Sequence, residues 1–164
     1  MIRLATENDI LSIMRITKEI VADMKKEGNP QWHDKYPIEE DFLNDIACNA
    51  LYVYEKESKV IGFICAEKDT ENEYERVSNT TKKEAYIMHR LGVDKNYRKL
   101  GIAISFLKYV EELALKNNIF LIKADTEVKN IKMNTLFEKL GYKKLSTFNW
   151  SDNDGLFNYY EKNL

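Results

Sequence analysis

The chain has 164 residues, 44% hydrophobic and 32% charged, which suits one domain with a sizeable core and excludes a disordered tail. Its 25 basic and 27 acidic side chains leave a net charge of −2, without the basic excess of a general nucleic-acid binder. Its apolar runs are too short to span a bilayer, and Cys48 and Cys65 form neither a disulfide framework nor a metal-ligand spacing.

No repeat or proline-rich linker divides the sequence, so residues 1–164 read as a single domain. The N-terminus Met1-Ile2-Arg3-Leu4 lacks a signal-peptide layout, which makes a cytoplasmic protein the expectation. Ile2 to Ala5 predicts a short strand. Thr6 then caps a long helix, with Asp9 completing a partial capping box. Ile10, Ile13, Ile16, Ile20 and Met24 recur at helical spacing until Gly28-Asn29-Pro30 stops the helix. A second helix is predicted over Glu39 to Asn49, with Phe42, Leu43 and Ile46 inward.

The period then changes. Leu51 to Glu55 and Val60 to Glu67 read as strands joined by a tight turn at Lys56-Glu57-Ser58-Lys59. Lys68 to Lys82 is polar and acidic and reads as a mobile, solvated loop. Ala85 to Val93 alternates as a strand, Gly101 to Asn117 is an amphipathic helix, and Phe120 to Ala124 suits a central parallel strand. Asn130 opens a helix ending at Leu140, with Gly141 as its C-terminal cap. Tyr142 to Asn149 and Leu156 to Lys162 form two last strands around a turn at Asp152-Asn153-Asp154-Gly155, and offer an edge for a homodimer. The order predicts an α/β (α+β) domain: a mixed, mostly antiparallel central sheet with helices on both faces.

The informative segment runs from His89 through Val93 and Arg98 to Ala103. A strand ends near Val93, a basic loop follows, and a helix opens at Gly101. The first turn of a helix has unpaired N–H groups and the positive end of the macrodipole. Gly101 and Ala103 keep that turn free of bulky side chains, and Arg98 and Lys99 add positive charge. The result is an anion cradle suited to a pyrophosphate. It is neither a Walker loop nor a Rossmann fingerprint. A helix-start glycine among solvated charges is the structural alternative on spacing alone.

Arg98-x-x-Gly101-x-Ala103 resembles the acetyl-CoA signature Q/R-x-x-G-x-G/A of the GNAT superfamily of acyl-CoA N-acyltransferases. Asn130-x-x-Met133-x-x-Leu136-Phe137-x-x-x-Gly141-Tyr142 resembles that family's second signature, and Leu91-Gly92-Val93 looks like the end of its splayed fourth strand. The resemblance implies a GNAT fold with a β-α-β acyl-CoA-binding crossover, and acetyl-CoA as cosubstrate without a metal. Backbone groups of Lys99, Leu100, Gly101, Ile102 and Ala103 would hold the pyrophosphate, and Arg98 would add a charge-assisted contact. Leu91, Gly92 and Val93 would meet the pantetheine by backbone hydrogen bonds, Asn130 would bond that arm, and Phe137 would pack near the thioester. Asn130 is equally a good N-cap.

The family generally transfers acetyl directly to an amine, which must lose a proton. His89 is the candidate base. It lies four residues before Val93 and on the same strand face, and an imidazole suits proton transfer near neutrality. A histidine tied into a structural hydrogen bond is the other reading. Relatives often place a tyrosine at Phe137 as general acid; Phe137 has no hydroxyl. Trp32 and Tyr36, between the first two helices, are candidate walls of the acceptor pocket, although Trp32 also suits the core edge. The acids Glu67, Asp69, Glu71, Glu73 and Glu75 read first as solvated, with attraction of a cationic amine as the alternative. The chain is therefore expected to acetylate a primary amine. A non-catalytic acyl-CoA sensor and a protein N-terminal or lysine acetyltransferase are the competing readings.

Overall fold

Short apolar runs and their turns build a seven-stranded sheet in the computed structural model, which describes residues 1–70, 72–151 and 155–164. In chain order the elements are β1 (Ile2–Leu4), α1 (Ile10–Glu27), α2 (Glu39–Ala47), β2 (Leu51–Lys56), β3 (Lys59–Lys68), β4 (Tyr86–Val93), α3 (Ile102–Lys116), β5 (Leu121–Glu127), α4 (Ile131–Lys139), β6 (Lys143–Phe148) and β7 (Phe157–Asn163). The sheet order is β1-β2-β3-β4-β5-β7-β6, and every neighbouring pair is antiparallel except β4 with β5. Antiparallel neighbours need only a turn; the parallel pair needs a crossover, which α3 supplies.

One apolar layer joins the sheet to α3 and α4 through Met88, Phe106, Val110, Ile122 and Phe137. The other packs α1 and α2 on the opposite face through Ile13, Ile16, Ile20, Phe42 and Phe63. Each of these large apolar side chains stabilises the fold by about 1.5–3 kcal/mol on burial.

Several boundaries differ from the sequence reading. Thr6 caps a single 3-10 turn, Glu7–Asp9, before α1 begins. There the Asp9 carboxylate accepts from the Thr6 N–H and from both ends of the Arg3 guanidinium, at 2.8 and 2.9 Å. Gly28, at φ 68°, ends α1 as expected, because a left-handed residue lets its N–H return to the Lys25 carbonyl. β5 runs on to Glu127, burying Thr126 and Glu127, whereas Phe120 lies outside the strand and is exposed. Tyr142 is buried before β6 begins. Cys65 is a core residue, but Cys48 is exposed at the end of α2.

The largest difference is the segment between β3 and β4. It is not a solvated loop: Tyr74 is fully buried and Val77 nearly so, packed on Ile87 and Tyr159. Asp69 sits below the surface with Lys123 at 3.4 Å. Glu71 and the turn residues Asp152, Asn153 and Asp154 lie outside the described residues.

Candidate active site

β4 and β5 pair only from Tyr86–Ile122 to Met88–Ala124. Beyond that the two strands part, leaving β4 from His89 onward without a neighbour on one side. A bulge lies at the parting. Phe63 pairs with Gly92 and Cys65 with His89, so Arg90 and Leu91 together oppose Ile64, and Arg90 is left-handed at φ 47°. The Asp94 N–H bonds the Ile61 carbonyl on the β3 side. By alternation, Leu91 and Val93 turn their N–H groups toward the opening. Gly92 has to be glycine here, since a Cβ would lie 2.5 Å from the Phe63 ring.

The bulge corrects one expectation. An unbroken strand would place His89 and Val93 on one face, but the extra residue reverses the alternation. Val93 packs with Met88 and Leu91 on the α3 side, while His89 faces the opposite side with Glu67 and Asp125. There the His89 Nε2 lies 3.1 Å from a Glu73 carboxylate oxygen. Burial alone would favour the neutral ring. The hydrogen bond and charge of Glu73, with Asp125 behind, outweigh it and raise the His89 pKa. Donation from Nε2 to Glu73 fixes the tautomer and leaves Nδ1 as the acceptor nitrogen.

Asp125 is half-buried and lines both cavities described below. Burial raises its pKa, while donation from the Tyr74 hydroxyl and the Trp150 indole, at 2.8 and 2.9 Å, works against that rise. Arg90 turns away from the strand to a bidentate pair with Asp45 at 2.6 and 2.8 Å, and donates to the Tyr36 hydroxyl at 3.0 Å.

Two adjoining cavities meet at His89, Arg90 and Asp125. The smaller, about 60 Å³, occupies the opening between the strands against Met88, Leu91, Thr126, Met133 and Phe137. The larger, about 580 Å³, spreads over the opposite face and is walled by Trp32, Tyr36, Glu67, Glu73, Trp150 and Phe157. Trp32 stacks on Phe63 in the core, with ring centroids 6.2 Å apart, and also lines each cavity.

At the head of α3, Gly101 stands at φ 79° and Lys99 at φ 63°. A Cβ on Gly101 would meet nothing within 4 Å, so this turn opens on free space. The N–H groups of Ile102 and Ala103 belong to the first helical turn and have no intrahelical acceptor. Leu100 is exposed beside them, and Ile102 anchors the turn in the core. Arg98 donates to Asp23 on α1 at 2.6 Å and to the Val93 carbonyl at 3.3 Å, tying the loop to α1 and β4. These groups fit a diphosphate: donors and positive charge converge on open space.

Asn130 caps α4 by accepting from the Met133 N–H, and its amide donates to Gln31 at 2.8 Å. Gln31 also accepts from Thr126, joining the α1–α2 connection to the end of β5. Phe137 is buried between Tyr142 and Tyr160, with centroids 5.2 and 5.0 Å away, and reaches the small cavity. The Tyr160 hydroxyl is committed to Asn134 at 2.7 Å. The described residues contain no group of three or more His, Cys, Asp or Glu arranged to hold a metal ion.

Sequence reasoning singled out His89 as a candidate but not Glu73 as its specific partner, nor Asp125, Gln31 and the Arg90–Asp45 pair beside it. Tyr74, a lone aromatic in a polar stretch, was the available sign that this stretch packs inward. Asp125 and Glu127, polar residues in a strand expected to be central, were another.

The acetyltransferase (GNAT) family model matches residues 15–142. A GNAT-family acetyltransferase from Streptococcus agalactiae has 26% identity and a TM-score of 0.86 over 100% of this chain and 95% of its own. A putative acetyltransferase from Staphylococcus aureus has 30% identity and a TM-score of 0.76, covering 99% and 98%. A NatC complex bound to a Gag peptide and CoA shares the fold at 18% identity, TM-score 0.72, over 100% and 98%. No curated protein gives a significant sequence match.

Proposed function

Because the chain belongs to the GNAT acetyltransferase family, we propose that it transfers acetyl from acetyl-CoA to a primary amine by direct attack, with His89 as the base. The observation that carries this reading is the junction of the two cavities at His89, between the strand opening and the acid-walled space. Acetyl-CoA supplies the acetyl group activated as a thioester. Lys99 to Ala103 offer backbone donors to its diphosphate, and Leu91 and Val93 offer N–H groups toward the carbonyl side of the opening. Gly92 lets β4 lie close against Phe63. Arg98, held by Asp23, shapes the loop and contributes charge.

The amine enters the larger cavity and gives its proton to His89 Nδ1, while Glu73 stabilises the imidazolium that forms. With Phe137 lacking a hydroxyl and Tyr160 bonded to Asn134, the thiolate departs without a side-chain acid from this layer. Walls of Trp32, Tyr36 and Trp150 around the cavity favour a small amine over a peptide. The reading includes a cytoplasmic location: among the described residues no helix is long and apolar enough to cross a membrane, and both cysteines are free.

The test is release of free thiol from acetyl-CoA with a panel of small amines. His89→Gln should lower kcat by about 10²–10⁴-fold while CoA affinity, read by calorimetry, stays within a factor of about three. An unchanged kcat would assign His89 a structural role. Stabilisation by CoA with no turnover on any amine would favour the sensor.

A further inference from the structure

The larger cavity is unusual in its charge. Glu67, Glu73, Asp125 and Glu127 all line it. Among the described lining residues Arg90 is the one permanent cation, and Asp45 already neutralises it through two bonds. Glu73 is engaged with His89, whereas Asp125 accepts from two neutral donors and Glu127 from the Lys129 N–H. The carboxylate of Glu67 has no hydrogen bond or ion pair with any described residue, although the side chain is partly buried. A half-buried carboxylate facing a cavity and holding no partner of its own is open to a charge-assisted hydrogen bond from a cationic ligand.

Strand register places Glu67 relative to the base. Cys65 pairs with His89, and Glu67 lies two residues further along β3, opposite Ile87. Glu67 and His89 are therefore diagonal neighbours on one face, with side chains roughly 7–8 Å apart at their bases. Trp32, Tyr36, Trp150 and Phe157 supply flat apolar walls around this space, suited to a methylene chain and to the faces of cationic groups. A hydrophobic monoamine would leave the Glu67 charge unpaired, and an amino acid would bring a second carboxylate among four others.

Resting on the acetyltransferase reading, we infer that the acceptor is a small amine carrying a second cationic group, with Glu67 as its binding residue and the two nitrogens spaced to span the diagonal from His89 to Glu67. The reacting amine sits at His89 and the remaining ammonium sits at Glu67, with Asp125 and Glu127 adding to the field of the cavity. Linear diamines of four or five carbons meet this spacing.

The experiment compares initial rates for putrescine and cadaverine with those for n-butylamine, n-pentylamine and γ-aminobutyrate, in the wild type and in Glu67→Gln. The expected result is a kcat/KM at least tenfold higher for each diamine than for its monoamine, with γ-aminobutyrate poorest. In Glu67→Gln the diamine preference should fall at least fivefold. Monoamines used as well as diamines by the wild type, or a preference unmoved by Glu67→Gln, would overturn the inference. Should no amine release thiol, the transfer reading fails by itself, and calorimetry on the CoA-loaded protein then decides the second-cation site. Putrescine binding at least tenfold tighter than n-butylamine, and weakened by Glu67→Gln, would support it; equal or undetectable binding would overturn it.

Discussion

His89 is held between two opposed effects, and their balance sets its chemistry. Burial favours the neutral ring, but the hydrogen bond and charge of Glu73, with Asp125 behind, favour the protonated ring and prevail. The ring therefore titrates above its ordinary value of about 6.5. As the proposed base, His89 must be neutral to accept a proton, so kcat/KM should rise with pH along a limb lying above that value. Glu73→Gln removes the partner that raises the pKa, so a pH–rate profile should show the limb displaced to lower pH. A limb that stays in place would separate Glu73 from catalysis. The same pairing contributes stability that is fully present below the unfolded pKa and is lost as pH rises through the folded one. Gly92 can be tested as directly. A methyl group there meets the Phe63 ring at 2.5 Å, and overpacking of this kind costs about 1–3 kcal/mol. Thermal melting of Gly92→Ala should show that loss.

Elements built on strong periodicity were legible in the sequence, and those governed by a single inserted residue or a few anchors were not. α1, α3 and α4 follow their apolar spacing, and Gly28 and Gly141 close helices as left-handed residues. The face of His89 was misread because a bulge adds one residue without changing local composition. The segment from Lys68 to Lys82 was misread because its polar average hides Tyr74, which packs against Tyr159 and donates to Asp125. That anchoring holds Glu73 over His89. Tyr74→Ala should destabilise the protein by about 3–5 kcal/mol, as for other buried aromatics, and open the segment to limited proteolysis with a loss of kcat. Protection equal to the wild type would show that the segment is held elsewhere. The start of α3 has a test of its own. Gly101→Glu places a carboxylate and a strained left-handed residue at the cradle, and Arg98→Ala removes its charge. Calorimetry on the double variant should detect no CoA binding, and a retained affinity would move the cofactor elsewhere.

Across the whole molecule, a net charge of −2 conceals a separation. Arg98 and Lys99 flank the start of α3, whereas Glu67, Glu73, Asp125 and Glu127 converge on the far side of the strand opening. The order of elements and the motif at α3 made the first pole readable. The second was weighed in the sequence as an alternative for Glu67 and Glu73, but that Asp125 and Glu127 join them depends on β3, β4 and β5 assembling side by side in the sheet. In the proposed reaction an anionic cofactor and a cationic acceptor would approach His89 from opposite faces of one sheet, through the opening where β4 and β5 part. A crystal structure of the CoA complex tests this arrangement most directly. It should show the diphosphate on the N–H groups of residues 99–103 and the thiol in the opening between Met88–Leu91 and Asp125–Thr126, directed at His89. CoA seated with its thiol away from that opening would contradict the account.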